Sequence, residues 1–447
     1  MGTNRRPISV EIDSYQVGFG DCYLLKFRYG PSDVRSVLID FGTTALPKMT
    51  GKSKTSGDYM VAVARDIAAN CGVLQMVVAT HRHADHISGF ATGSKRAKRA
   101  KSESSGGIIF GLKPKIVLQP WTEDPKAERD ARGASAHSTR SRRSFVAGLA
   151  AMHEVAAKVL EIAKRPPRRM SARLVDKLRF LGEDNLKNKS AVDNLIAMGK
   201  RRGARAIYAR HGMKIALGRD LPGVKLTVLG PPDLTQTESI RKQRKSDPDE
   251  FWHLRAGSSR SNVAASGKSA AFARGSKRIP SRARWFQRRL DQMYGAELLE
   301  IVRSLDEQMN NTSLILLFEV GTKKLLFPGD AQIENWSYAL ADAPDHQRTL
   351  GLLADVDLYK VGHHGSLNAT PRQLLWDAFE KRGAKKGRRM KSLLSTMAGK
   401  HGSSESRTEV PRGSLVRALK AETDLTSTQG LKIEKGKPTK VPITLNL

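Results

Sequence analysis

Apolar residues in this chain fall into short runs that stop at polar or glycine-bearing turns. Between residues 8 and 27 two such runs flank Gly18-Phe19-Gly20-Asp21, and Ser36-Val37-Leu38-Ile39-Asp40-Phe41-Gly42 reads as a strand ending in a carboxylate and a glycine turn. The segment Leu74-Gln75-Met76-Val77-Val78-Ala79-Thr80 is apolar and β-branched without a helical period, which predicts a buried parallel strand. A helix is expected over residues 58–70. Further strands are expected at 115–119, stopping at Pro120-Trp121, and at 206–208 and 225–229. Residues 314–320 and 324–327 read as a hairpin around Gly321-Thr322, and 356–361 as one more strand. The order is a strand-rich opening followed by α/β alternation. Residues 123–205 read as helical and basic, with a helix at 145–164 and a break at Arg165-Pro166-Pro167-Arg168-Arg169. The serine, glycine, alanine and arginine content of 235–282 predicts a mobile insert, and there is no internal repeat.

The candidate chemistry sits where strands end. Directly after the run at 74–80 comes His81-Arg82-His83-Ala84-Asp85-His86. At i and i+2, His81 and His83 project to one side and suit one ion, while Asp85 and His86 turn toward a second; borderline divalent metals favour such nitrogen and oxygen donors. One histidine in a polar turn reads as surface. Four donors in six positions have the density of a two-metal centre. The hairpin then delivers Pro328-Gly329-Asp330, and the strand at 356–361 delivers Gly362-His363-His364-Gly365-Ser366, so separate strand ends converge on one rim. Trp121 reads as a core anchor and Glu123-Asp124 as a helix start rather than as pocket lining. His137, His153, His211, His253 and His346 stand apart from other donors and are expected to take no part; His401 is left outside the core set.

Composition narrows the partners. Among 447 residues, 77 Lys and Arg face 44 Asp and Glu, a formal charge of +33. Such a field draws polyanions, of which nucleic acid is the commonest, and acidic proteins or anionic lipid feel the same pull. Basic tracts at 95–101, 140–143, 165–169, 200–205 and 282–289 are expected to lie in insertions and to add affinity for a phosphate backbone. With only Cys22 and Cys71, disulfide frameworks and cysteine metal knuckles are excluded, which leaves metal work to histidine and carboxylate. No window nears the ~18 consecutive apolar residues of a membrane span, and Met1-Gly2-Thr3-Asn4-Arg5-Arg6 lacks the apolar core of a secretory signal. A cytoplasmic protein is expected.

With HxHxDH, a later strand ending in Gly-Asp and a still later one ending in histidine, the chain resembles the metallo-β-lactamase superfamily. More narrowly it is similar to the metallohydrolase domain of ComEC-type DNA-uptake proteins, through Val17-Gly18-Phe19-Gly20-Asp21, Leu38-Ile39-Asp40-Phe41-Gly42, Val228-Leu229-Gly230-Pro231-Pro232, Asn310-Asn311-Thr312-Ser313-Leu314, Phe327-Pro328-Gly329-Asp330-Ala331 and Lys360-Val361-Gly362-His363-His364-Gly365-Ser366. A weaker echo runs from 393 to 432. The resemblance implies an α/β fold of four layers, αββα, forming one domain over 1–447 with basic insertions at 123–205 and 235–282. It implies that His81 and His83 hold one ion, Asp85 and His86 lean to another, Asp330 bridges and His363 or His364 closes the second site, with Asp40 orienting a ligand histidine. Two divalent ions, Zn2+ or Mn2+, would generate the attacking hydroxide, with Asp85, Asp330 and His364 as the catalytic set. The implied activity is phosphodiester cleavage in DNA or RNA. Two departures stand out: no HxPGH segment supplies a third-motif histidine, its place being taken by Asn310 and Asn311, and the absence of spans removes a role as an import channel. The alternative substrate is a small ester, lactone, amide or phosphodiester, the charge then serving to dock an acidic or regulatory partner protein. A third class is a non-catalytic nucleic-acid-binding subunit with structural metals.

Overall fold

The computed structural model describes residues 5–47, 49–50, 56–93, 100–125, 189–237, 239, 310–385, 387–400, 409–434 and 437–447. The predicted helix at 145–164, the tracts at 140–143, 165–169 and 282–289, and nearly all of 235–282 lie outside those residues.

The first sheet begins as an antiparallel meander of β1 (Ser9–Tyr15), β2 (Cys22–Arg28) and β3 (Val34–Phe41). After β4 (Met49–Thr50), helix α1 (Ser56–Asn70) carries the chain over to β5 (Val73–Val78), parallel to β3. Helices α2 (Ala84–Ile87) and α3 (Ser105–Gly111), then β6 (Ile116–Pro120), α4 (Lys189–Lys200) and β7 (Arg205–Ala209), extend the parallel part.

The second sheet starts with β8 (Lys214–Ile215), β9 (Val224–Gly230), β10 (Ile315–Val320) and β11 (Lys323–Phe327), all antiparallel. Helices α5 (Ile333–Ser337) and α6 (His346–Ala354) precede β12 (Leu358–Lys360); β13 (Lys391–Leu394), α7 (Gly413–Glu422) and β14 (Asp424–Ser427) follow, their strands parallel to β11. The short β15 (Ile433–Glu434) pairs with β4, and β16 (Lys440–Asn446) returns to the first sheet beside β1. The result is a mixed α/β protein with two seven-stranded sheets, ordered β16-β1-β2-β3-β5-β6-β7 and β14-β13-β12-β11-β10-β9-β8.

Alternation along the strands explains the cores. In β2, Leu25 and Phe27 face the second sheet and pack with Leu316, Phe318 and Leu325, whereas Cys22 and Leu24 face Tyr59, Val63 and Ile67 of α1. In β10, Leu316 and Phe318 point inward, while Ile315 and Leu317 join Trp336, Leu353 and Leu419 from the helices of the second sheet. Strands buried on both faces lose the polar alternation of a half-exposed sheet, hence the continuous apolar runs. Each fully buried large aliphatic contributes about 1.5–3 kcal/mol.

Two expectations need correction, and three strands were not foreseen. The helical reading of 123–205 stops at Lys200, because residues 201–204 turn and Arg205 starts β7. Glu123-Asp124 does not open a long helix: Trp121–Glu123 is a single 3-10 turn, and the Glu123 carboxylate is taken by Arg82. Strands β13, β14 and β16 escaped the pattern, the first two being four residues long and the third an edge strand that contains Pro442. Trp121 is fully buried, and its indole donates to the Pro232 carbonyl at 3.1 Å, linking β6 to the segment after β9.

Candidate metal centre

The carboxyl ends of β3, β5, β11 and β12, with the turn before β2, meet on one rim. Backbone bonds fix them there: Asp21 N–H donates to Asp85 O at 2.9 Å, Gly42 to Asp21 O at 3.0 Å, Leu314 to Thr80 O at 2.9 Å and His363 to Gly329 O at 3.2 Å. Two glycines permit this closeness. A Cβ on Gly42 would stand 2.4 Å from the Asp85 carbonyl carbon, and one on Gly329, at φ +55°, would stand 2.8 Å from Thr80 Cβ.

Asp85, His86, Asp330 and His364 are all buried, and each offers a donor atom within 4.8 Å of the others. His86 Nε2 lies 3.1 Å from Asp330 Oδ2, and His364 Nε2 lies 3.1 Å from Asp85 Oδ2 and 4.0 Å from Asp330 Oδ2. His81, His83 and Asp85 form a second group, in which His81 Nε2 and His83 Nδ1 are 2.9 Å apart. Asp40 stands behind His86: its Oδ2 is 2.7 Å from His86 Nδ1, and it accepts from the Thr80 N–H and hydroxyl at 2.8 Å each. That carboxylate orients the ring and leaves Nε2 facing Asp330.

The donors are arranged for a cation. His86 Nε2 and both oxygens of Asp330 are buried and find no hydrogen-bond partner outside this group. An unsatisfied buried polar atom costs about 1–3 kcal/mol, and a divalent ion ligated by imidazole and carboxylate removes that cost. The residues therefore fit a metal. The paired histidines separate clearly. His364 is buried within the four-donor group with Nδ1 on Ser395 O at 3.0 Å, whereas the part-exposed His363 reaches no closer than 3.7 Å to Asp330 Oδ2. Of four non-glycine residues with positive φ among the described residues, Asp40, His363 and His364 are three, at 54°, 43° and 52°. Such backbone costs on the order of 1–3 kcal/mol per residue and clusters where geometry matters more than ease of folding.

Burial drives the His81 ring well below the usual histidine range, helped by the neighbouring His86 and His83. Burial opposes charge on His86 and His364 as well, but the surrounding carboxylates outweigh it, Asp330 and Asp40 for His86 and Asp21 and Asp330 for His364, and raise both. Asp330 and Asp85 shift downward in return: burial disfavours their charge, and the histidine cations, His86 foremost, more than restore it.

A pH dependence follows for the metal-free protein. Raised histidines contribute stability that is complete below their unfolded value of about 6.5 and is lost as pH climbs through the folded values. A metal needs those rings neutral, so its binding releases protons and tightens with pH. The rise in melting temperature on adding Zn2+ to chelator-treated protein should therefore be larger at pH 8 than at pH 6. Scanning calorimetry at both pH values tests this, and a gain that shrinks with pH contradicts it.

No family model and no curated protein matches this chain.

Three participants escaped the sequence reading. Asp21 and Lys360, both buried, form an ion pair beneath the donors; Asp21 also accepts from Tyr23 OH at 3.0 Å, and Lys360 Nζ reaches Asp330 Oδ1 at 3.7 Å and donates to Gly329 O at 3.1 Å. Their signal was present, since both stand inside the Gly-Phe-Gly-Asp and Lys-Val-Gly-His-His segments. The third is Arg82, which makes a two-pronged bond to Glu123 at 2.8 and 2.6 Å and so places a neutralised pair beside the histidines. Asn310 and Asn311 are buried in the loop tied to Thr80, and Asn310 Oδ1 and both amide atoms of Asn311 make no hydrogen bond. His211 lies between Leu229 O and Asp345 and His346 against Ala343 O, both outside the donor groups. His137, His153, His253 and His401 lie outside the described residues. The tract 200–205 opens β7 at its amino end and thus lies on the rim opposite the donors.

Proposed function

We propose that this chain is a metal-dependent hydrolase of the metallo-β-lactamase type, its two sheets and flanking helices being the αββα layers, and that it cleaves phosphodiester bonds in DNA or RNA. The reading is carried by the buried group of Asp85, His86, Asp330 and His364, whose donor atoms converge within 4.8 Å of one another. His81 and His83 would hold the first of two divalent ions, Zn2+ or Mn2+, and the four-donor group the second, with Asp330 shared and His364 rather than His363 as the closing ligand. When bound, such ions supply an activated water and offset charge on a phosphoryl oxygen. The chain's own part is positional. Asp40 fixes the His86 ring, Lys360 holds one Asp330 oxygen so that the other faces the histidines, and Arg82 is kept from the donors by Glu123.

One observation favours the alternative of a small ester, lactone, amide or phosphodiester substrate: the tract 200–205 is remote from the donors, and the cations beside them, Lys360 and Arg82, are paired with Asp21 and Glu123. Assays of single- and double-stranded DNA and RNA beside a small phosphodiester, over a Zn2+ and Mn2+ series, decide between them. Nucleic-acid cleavage should fall about 100-fold or more in His83→Ala, at least as much as losing an outer partner of a metal ligand costs. Metal-loaded protein that cuts no nucleic acid but turns over the small ester would hand the case to the alternative.

A further inference from the structure

The cations of the described residues are not spread evenly. Strands β5, β6 and β7 are parallel, so their first residues share the rim opposite the one to which β5 delivers its histidines. On that far rim Arg205 opens β7, Arg201 and Arg202 form the turn before it, and Lys115 precedes β6. Contacts stitch them into one surface. Arg201 donates to the carbonyls of Lys113 and Pro114 at 2.8 and 2.9 Å, and Asp220 lies 3.4 Å from Lys115 and 3.8 Å from Arg205. Arg35 donates to the carbonyls of Arg219 and Asp220, and Arg6 packs on Gly223. Arg5 and Arg35 share Asp33 and sit 5.4 and 5.1 Å from the centroid of the Tyr29 ring. The carboxylates interleaved with these cations are Asp33 and Asp220. Farther along the same rim the excess is smaller: Lys323, Lys324 and Lys381 meet Asp355 and Asp357, three cations to two carboxylates.

We infer that this far rim docks the phosphate backbone of nucleic acid, about 20 Å from the metal donors by the rise of the strands, and does so independently of the chemistry proposed for them. From β3 to β7 the strand spacing spreads the cations over about 14 Å. A duplex carries one charge per ~1.7 Å of axis, so several phosphates fall within reach. Guanidiniums already held by backbone carbonyls lose little freedom on binding and match phosphate oxygens in pairs. A lipid surface fits less well. Among the described residues the exposed large hydrophobics are Ile8 at 62% and Val73 at 52%, which stand at the starts of β1 and β5 with β2 and β3 between them and so form no joint apolar patch there.

The test uses the full chain with chelator present, so that binding is read without cleavage. Arg6, Arg202 and Arg219 are exposed, and Arg6→Gln, Arg202→Gln and Arg219→Gln combined should leave the melting temperature and metal content unchanged. Anisotropy of labelled duplex DNA across a salt series should give a plot of log K against log salt that is shallower by about 3, near 1 per lost phosphate contact. A second variant, Lys113→Gln with Lys115→Gln, should lower the slope by about 2. Unchanged slopes in both variants overturn the inference. So does loss of retention on phosphatidylserine vesicles while DNA binding stays intact, which assigns the surface to lipid.

Discussion

Asp330→Ala is expected to lower metal affinity by at least about 100-fold while the fold survives. Asp330 is the only member of the four-donor group with both carboxylate oxygens buried and without hydrogen bonds, and those oxygens face His86, His364 and Lys360. In the metal-free protein that carboxylate is a charge partner of His86, His364 and Lys360, which hold it below the usual carboxylate range, so its removal should also cost the metal-free fold some stability. Ligand loss should cost at least as much as loss of the outer partners of metal ligands, about 10–100-fold. Elemental analysis after dialysis, paired with thermal unfolding in chelator, separates the two effects. Full metal content in Asp330→Ala would remove the metal centre from consideration.

The second large effect concerns stability. Lys360→Met should destabilise the protein by about 3–5 kcal/mol, the usual consequence of stripping one partner from a buried ion pair. Lys360 is 1% exposed and Asp21 0%, and the same ammonium faces Asp330. Burial alone would push the lysine toward neutrality; Asp21 and Asp330 keep it charged by raising it above the ordinary lysine range. Adding Asp21→Asn should recover most of the loss, because the stranded carboxylate is then gone. Unfolding midpoints in urea for the wild type, the single variant and the double variant measure this. Equal destabilisation in single and double variants would show that packing of the lysine stem, not its charge, holds this corner.

Much of the framework was legible because burial leaves a mark along the chain. The runs at 36–42, 74–80, 115–119, 314–320 and 324–327 became β3, β5, β6, β10 and β11 with small shifts at their ends. Asp40, the HxHxDH cluster, Asp330 and His364 were marked by falling just inside or just past strand ends. Less legible were β13, β14 and β16: four-residue parallel strands carry too little pattern, and the edge strand β16 is held by its pairing with β1 more than by its own composition.

By itself, then, the sequence determined where the longer buried strands run and which donor types follow them, since both depend on alternation and spacing within a few residues. Only the tertiary structure decided that His364 rather than His363 joins the buried donors, that Lys360 closes on Asp21, that Glu123 claims Arg82, and that the tract at 200–205 faces away from the donor groups. Each of those depends on which strand ends share a rim and on two adjacent left-handed backbones at 363 and 364. Charge and donor identity are local properties of a chain, whereas their pairing is set by the packing of two sheets and by how much water that packing excludes.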